Sequence, residues 1–159
     1  MKTKIIFLFF IMLSLLFPIP VFYVEILNKY PIYMYTFPEG LKFNFTYIHS
    51  VEKVPVTMVY EVRGGELMLK EVITTTQAAG TPFYGNSFLF SNGVVIYYSN
   101  QTTKEFRVII TKFTFQTVVF DNLEIKFWLF CEDGDRIRFS VEDKPVILYL
   151  VDSLRKLYS

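Results

Sequence analysis

The chain has 159 residues and a formal net charge of +1, from 16 Lys and Arg against 15 Asp and Glu. That length holds one domain with a real core. The charge balance excludes the concentrated cationic face that neutralises phosphates, so no nucleic-acid partner is expected. Aromatic residues make up 19%, with Phe and Tyr foremost, and together with Val, Ile and Thr they give a β composition.

Lys2 and Lys4 precede an uncharged run from Ile5 to Val24, twenty residues long. A helix needs about 20 apolar residues to cross the hydrocarbon core. Positive residues ahead of the run favour a cytoplasmic N-terminus and an exported remainder. Residues 1–27 therefore read as a signal anchor or signal peptide. Pro18 to Val24 offers no Ala-x-Ala-like cleavage site, which favours the uncleaved anchor. Pro18 and Pro20 would kink or end such a helix. The expected protein is single-pass in the cell membrane, contacts lipid through residues 5–24, and carries an extracytoplasmic β domain over residues 41–159. Residues 28–40 read as a linker or a first strand. Tyr23, Tyr30, Tyr33 and Tyr35 suit either a lipid surface or an aromatic strand.

Leu41 to Ser50 alternates aromatic and polar residues, the period of a half-buried strand. Phe43, Phe45, Tyr47 and His49, the lone histidine, share one face. Val56–Val62 and Leu67–Ile73 flank Gly64-Gly65, which suits a two-residue primed turn. The derived pairs are Val62 with Leu67, Tyr60 with Leu69, Met58 with Glu71 and Val56 with Ile73. That face is apolar except for Glu71. A turn through Val51–Val54 would set His49 beside Val56 and Tyr47 beside Met58, making His49 and Glu71 neighbours on one apolar face. Thr74 to Asn86 reads as a loop. Ser87–Phe90 and Val94–Ser99 form a hairpin around Asn92-Gly93. Phe106–Phe113, Phe115–Phe120, Leu123–Phe130 and Arg136–Glu142 read as further strands. Many short strands with turn signals predict an all-β antiparallel sandwich or open barrel. Ile147, Leu150, Val151, Leu154 and Leu157 fall at helical spacing and predict a short amphipathic C-terminal helix, expected to pack on the sheet or cover a barrel end, with docking on a membrane or a transporter subunit as the alternative.

The candidate binding residues are His49, Ser50, Glu52 and Glu71, with Gly80 and Pro82 of the long loop. Catalysis at His49-Ser50 is disfavoured by strand parity, because adjacent side chains point to opposite faces. A structural histidine and a polar ligand pocket both remain open. One His and one Cys supply no metal set beyond carboxylates, and no cofactor is implied. Asp133-Gly-Asp135 is too short for a calcium loop of the EF-hand type. Cys131 follows an aromatic strand and reads as buried and apolar. Asn44 and Asn100 match the glycosylation acceptor pattern.

Phe45-Thr-Tyr-Ile-His-Ser-Val-Glu-Lys-Val-Pro55, Tyr60-Glu-Val62, Leu67–Glu71 and Ala78-Ala-Gly-Thr-Pro82 resemble the domain-of-unknown-function 1850 family. Its pattern has Gly where this chain has Ala78. Members of that family are small exported or membrane-anchored proteins, often encoded beside tripartite (TRAP-type) transporters of the TAXI class. The resemblance implies an extracytoplasmic accessory or binding module with transporter subunits as partners. A hydrolase using His49 with a carboxylate, or a structural cell-surface domain, are the alternatives.

Overall fold

A computed structural model describes residues 12–27, 29–75 and 87–157. The expected strands Phe106–Phe113 and Leu123–Phe130 are cut short by 3-10 turns at Lys112–Thr114 and Phe127–Leu129. The strands are otherwise largely the period-two segments. They are β1 (Pro18–Ile26), β2 (Pro31–Thr36), β3 (Lys42–Ile48), β4 (Pro55–Arg63), β5 (Glu66–Thr74), β6 (Ser87–Ser91), β7 (Val94–Tyr98), β8 (Thr102–Thr103), β9 (Glu105–Ile109), β10 (Thr117–Phe120), β11 (Leu123–Lys126) and β12 (Arg136–Pro145), followed by a helix α1 (Val146–Leu157). Two antiparallel sheets result. The first has the order β2-β1-β12-β9, and the second β11-β10-β3-β4-β5-β7-β6 with β8 on β5. Phe22, Phe139 and Phe106 of the first sheet meet Phe43, Phe45 and Tyr60 of the second in one core, sandwich fashion. The Phe43 and Phe139 rings stack at 5.8 Å, and Phe106 stacks on Phe139 at 4.5 Å. Each such burial contributes about 1.5–3 kcal/mol, with about 0.5–1.5 more per ring pair.

The N-terminal run divides differently from the expectation. Pro18–Ile26 is a central strand of the first sheet, paired with β12 along its whole length, and Val21, Phe22, Tyr23 and Val24 are fully buried. Residues 18–24 thus belong to the domain core and not to a lipid-crossing helix. Pro18 and Pro20 disfavour a helix, and the β-branched and aromatic residues between Ile19 and Val24 favour a strand. Thirteen uncharged residues, Ile5–Phe17, lie between Lys4 and the strand. Residues 12–15 are helical. Among the described residues no helix is long and apolar enough to cross a membrane. Within residues 28–40, Pro31–Thr36 form β2, which follows β1 and is therefore not the first strand.

Two registers also differ. Strands β3 and β4 pair Phe45 with Met58 and Tyr47 with Val56, two residues from the expected pairs, because the turn spans Ser50–Lys53. Parity is unchanged, so the faces survive. In the β4–β5 hairpin, Val62–Leu67 and Tyr60–Leu69 pair as expected. A bulge then leaves Lys70 unpaired, and Val59 faces Glu71, Met58 faces Val72 and Val56 faces Thr74. One extra residue turns everything beyond it to the other face. Val72 and Thr74 are buried as a result, and Glu71 is carried to the outer face. Without the bulge a carboxylate would enter the core, at a cost of several kcal/mol.

Helix α1 forms where the period changes, and it packs on β2 and β12. The side it presents is not the apolar stripe. Tyr149, Asp152 and Ser153 are half-buried, while Ile147, Leu148, Leu150, Val151 and Leu154 are exposed. The sheet surface beneath it accounts for this inversion. Lys144 Nζ lies 3.0 Å from the Asp152 carboxylate and 4.2 Å from the centroid of the Tyr23 ring.

Candidate functional site

His49 stands at the end of β3, where the chain must reverse toward β4. Its backbone N–H donates to Val54 O at 2.8 Å, and Lys53 N–H donates to His49 O at 2.9 Å. Lys53 closes the turn with φ at 57°. The imidazole Nδ1 accepts the Glu52 N–H at 3.2 Å, and the residue is only 8% exposed. An accepting Nδ1 means that the ring proton sits on Nε2. The histidine therefore satisfies a turn amide, in the way that Asx side chains do. Ser50 and Glu52 on the same turn are exposed.

Glu71 lies elsewhere. The bulge puts it on the outer face of the second sheet, opposite Tyr98 of β7. His49 keeps the core-facing parity of Phe43 and Phe45. The two side chains stand on opposite faces, and the expected His–Glu island does not form. Gly80 and Pro82 lie outside the described residues. Glu71 instead borders a cleft of about 170 Å³ with Lys70, Ser87, Tyr98, Ser99 and Asn100. Asn44 and Asn100, the glycosylation candidates, are both exposed.

The densest polar cluster is on the outer face of the first sheet. Arg138 of β12 donates to Glu25 at 2.9 Å and to Glu105 at 3.3 Å, and lies 2.7 Å from Glu142. Lys144 pairs with Asp152, and Lys29 with Asp135 at 2.8 Å. A cavity of about 390 Å³ opens beside them, lined by Glu25, Lys29, Tyr30, Arg138, Lys144 and Asp152 among others. Burial, then the Asp152 and Glu142 carboxylates, push the Tyr23 phenol well above its ordinary range. Every cation on this cavity already has a carboxylate partner, so the row neutralises itself and ties β1, β9, β12 and α1 together. Sequence reasoning missed it. The signal was present in the charges at alternate positions of Arg136–Glu142, but Glu25 had been placed in an anchor.

Cys131 is buried, and desolvation pushes its thiol up to about 11. The thiol is thus protonated and inert at neutral pH. Among the described residues no three His, Cys, Asp or Glu gather around a common point that could hold a metal ion.

The model of a family described as "Domain of unknown function (DUF1850)" matches residues 43–127. That stretch carries the His49 turn, the β5 bulge, the Glu71 cleft and nearly every residue of the second sheet. No curated protein and no solved structure matches the chain. The match spans more than half of the 159 residues, and the chain belongs to the domain-of-unknown-function 1850 family.

Proposed function

We propose that this protein is an extracytoplasmic accessory module, held at the membrane by its N-terminal segment, that assists a TRAP-type transporter of the TAXI class by contact with its subunits. The observation that carries the reading is the entry into the fold. Lys2 and Lys4 are followed by thirteen uncharged residues that end at the exposed Phe17, immediately before core strand β1. A basic start and an apolar stretch of about 7–15 residues are the features of an export signal. The family resemblance supplies the transporter context by association.

The site geometry favours contact over solute capture. The cleft at Glu71 holds about 170 Å³, below the ~300–1,000 Å³ of small-molecule sites. The larger cavity has its charges satisfied internally. A surface module needs neither. Deleting the gene should lower solute uptake through the partner transporter, and the full chain should cross-link to a transporter subunit at the membrane. Unchanged uptake together with a soluble, uncross-linked chain would contradict the reading.

A further inference from the structure

We infer that α1 is an interfacial helix that lies in the surface of a lipid bilayer and rests the outer face of the first sheet against it. This builds on the extracytoplasmic reading and gives it a second membrane contact. The helix turns its polar side inward, through Asp152 on Lys144, and leaves Ile147, Leu150, Val151 and Leu154 exposed at i, i+3, i+4 and i+7. That is one continuous apolar stripe. Twelve residues make about 18 Å of helix. A bilayer core is about 30 Å thick, so α1 can lie in the membrane plane but cannot cross it.

The choice of lipid follows from where the helix begins. Val146 N–H donates to Phe17 O at 3.2 Å, so α1 starts beside the end of the N-terminal apolar segment. Met12, Leu13, Leu16 and Phe17 of that segment are exposed as well. Any surface that takes up the segment is thereby brought to the helix. The thirteen residues Ile5–Phe17 are short for a spanning helix, and durable attachment by weak membrane signals takes two of them.

The test places a nitroxide label at Ile147→Cys, Leu150→Cys or Leu154→Cys in the full chain, one at a time. Cys131 is buried and leaves the introduced thiol as the reactive one. Labels at Leu13→Cys and Leu16→Cys report on the N-terminal segment, and Ser91→Cys, at the far edge of the second sheet, is the aqueous reference. The chains are reconstituted with vesicles of phosphatidylcholine and phosphatidylglycerol in equal parts. Accessibility is read with oxygen, which concentrates in lipid, against a water-soluble nickel chelate. All three helix positions should shift toward oxygen relative to Ser91. If they match Ser91 while 13 and 16 enter lipid, the inference is overturned and the N-terminal attachment stands. If they are shielded from both reagents, a second copy or a protein partner covers the helix, and the inference is again overturned. If the helix enters lipid and 13 and 16 stay in water, the inference holds and the N-terminal attachment falls.

Discussion

Deleting Lys70 should leave the protein folded, although it shortens a strand by one residue. Lys70 is the extra residue of the β5 bulge, with Leu69 opposite Tyr60 and Glu71 opposite Val59. Removing it turns the bulge into a regular ladder: Leu69 still faces the core, Glu71 takes the next outward place, and Val72 still pairs with Met58. The loss is the hydrogen bond that Lys70 O accepts from the Ser99 N–H, about 1–2 kcal/mol. Deleting Met68 instead removes a residue that the ladder uses. Leu69 then takes its outward place, at about 1.5–3 kcal/mol, and Lys70 turns toward the core beside Tyr60, where an uncompensated charge costs about 3–5 kcal/mol more. That sum rivals the ~5–15 kcal/mol that holds a domain folded. Urea unfolding followed through the single tryptophan, Trp128, reads this directly. The Lys70 deletion should keep a cooperative transition within about 2 kcal/mol of the parent, and the Met68 deletion should lose it. Two deletions that destabilise equally would refute the bulge argument.

Three further outcomes follow from the geometry. His49→Ala removes the acceptor of the Glu52 N–H and should cost about 1–2 kcal/mol in urea unfolding; His49→Asn, whose side-chain oxygen reaches the same place, should recover part of it. Asp152→Ala removes the partner of Lys144 and should expose the α1 segment to limited proteolysis while the sheets keep their unfolding midpoint within about 1 kcal/mol. Tyr23 has a raised phenol, so the folded state holds its proton more tightly than the unfolded chain; its contribution is complete below about pH 10 and falls by about 1.4 kcal/mol per pH unit above that. Unfolding midpoints at pH 9 and 11 should therefore separate more for the parent than for Tyr23→Phe, and equal separations would rule the assignment out.

Much of the fold was legible because period two writes burial directly into the chain. Phe43, Phe45, Tyr60 and Val62 all face the core as their parity required. The hairpin at Gly64-Gly65 was readable because both residues adopt positive φ. The bulge was not placed, though Glu71 had stood out as the one charged residue on an apolar face. That exception marked the extra residue, since Val72 follows and restores the pattern. β1 was hidden by its own composition, because a strand buried on both faces reads as an uninterrupted apolar run, as a membrane helix does. The stripe on α1 was read correctly as amphipathic. Its direction was not legible, because the ionic partner of Asp152 lies on another element. The candidate site suffered most, since a single residue of register separated His49 from Glu71.

The most direct test of membrane-held, extracytoplasmic placement is labelling of Ser91→Cys in intact cells with a membrane-impermeant maleimide, followed by membrane fractionation. Ser91 is the exposed last residue of β6, at the turn into β7, and the buried Cys131 leaves the unsubstituted chain as a low background. The account predicts that Ser91→Cys is labelled without cell lysis and that the labelled chain sediments with membranes. Labelling only after lysis, with the chain in the soluble fraction, would contradict it.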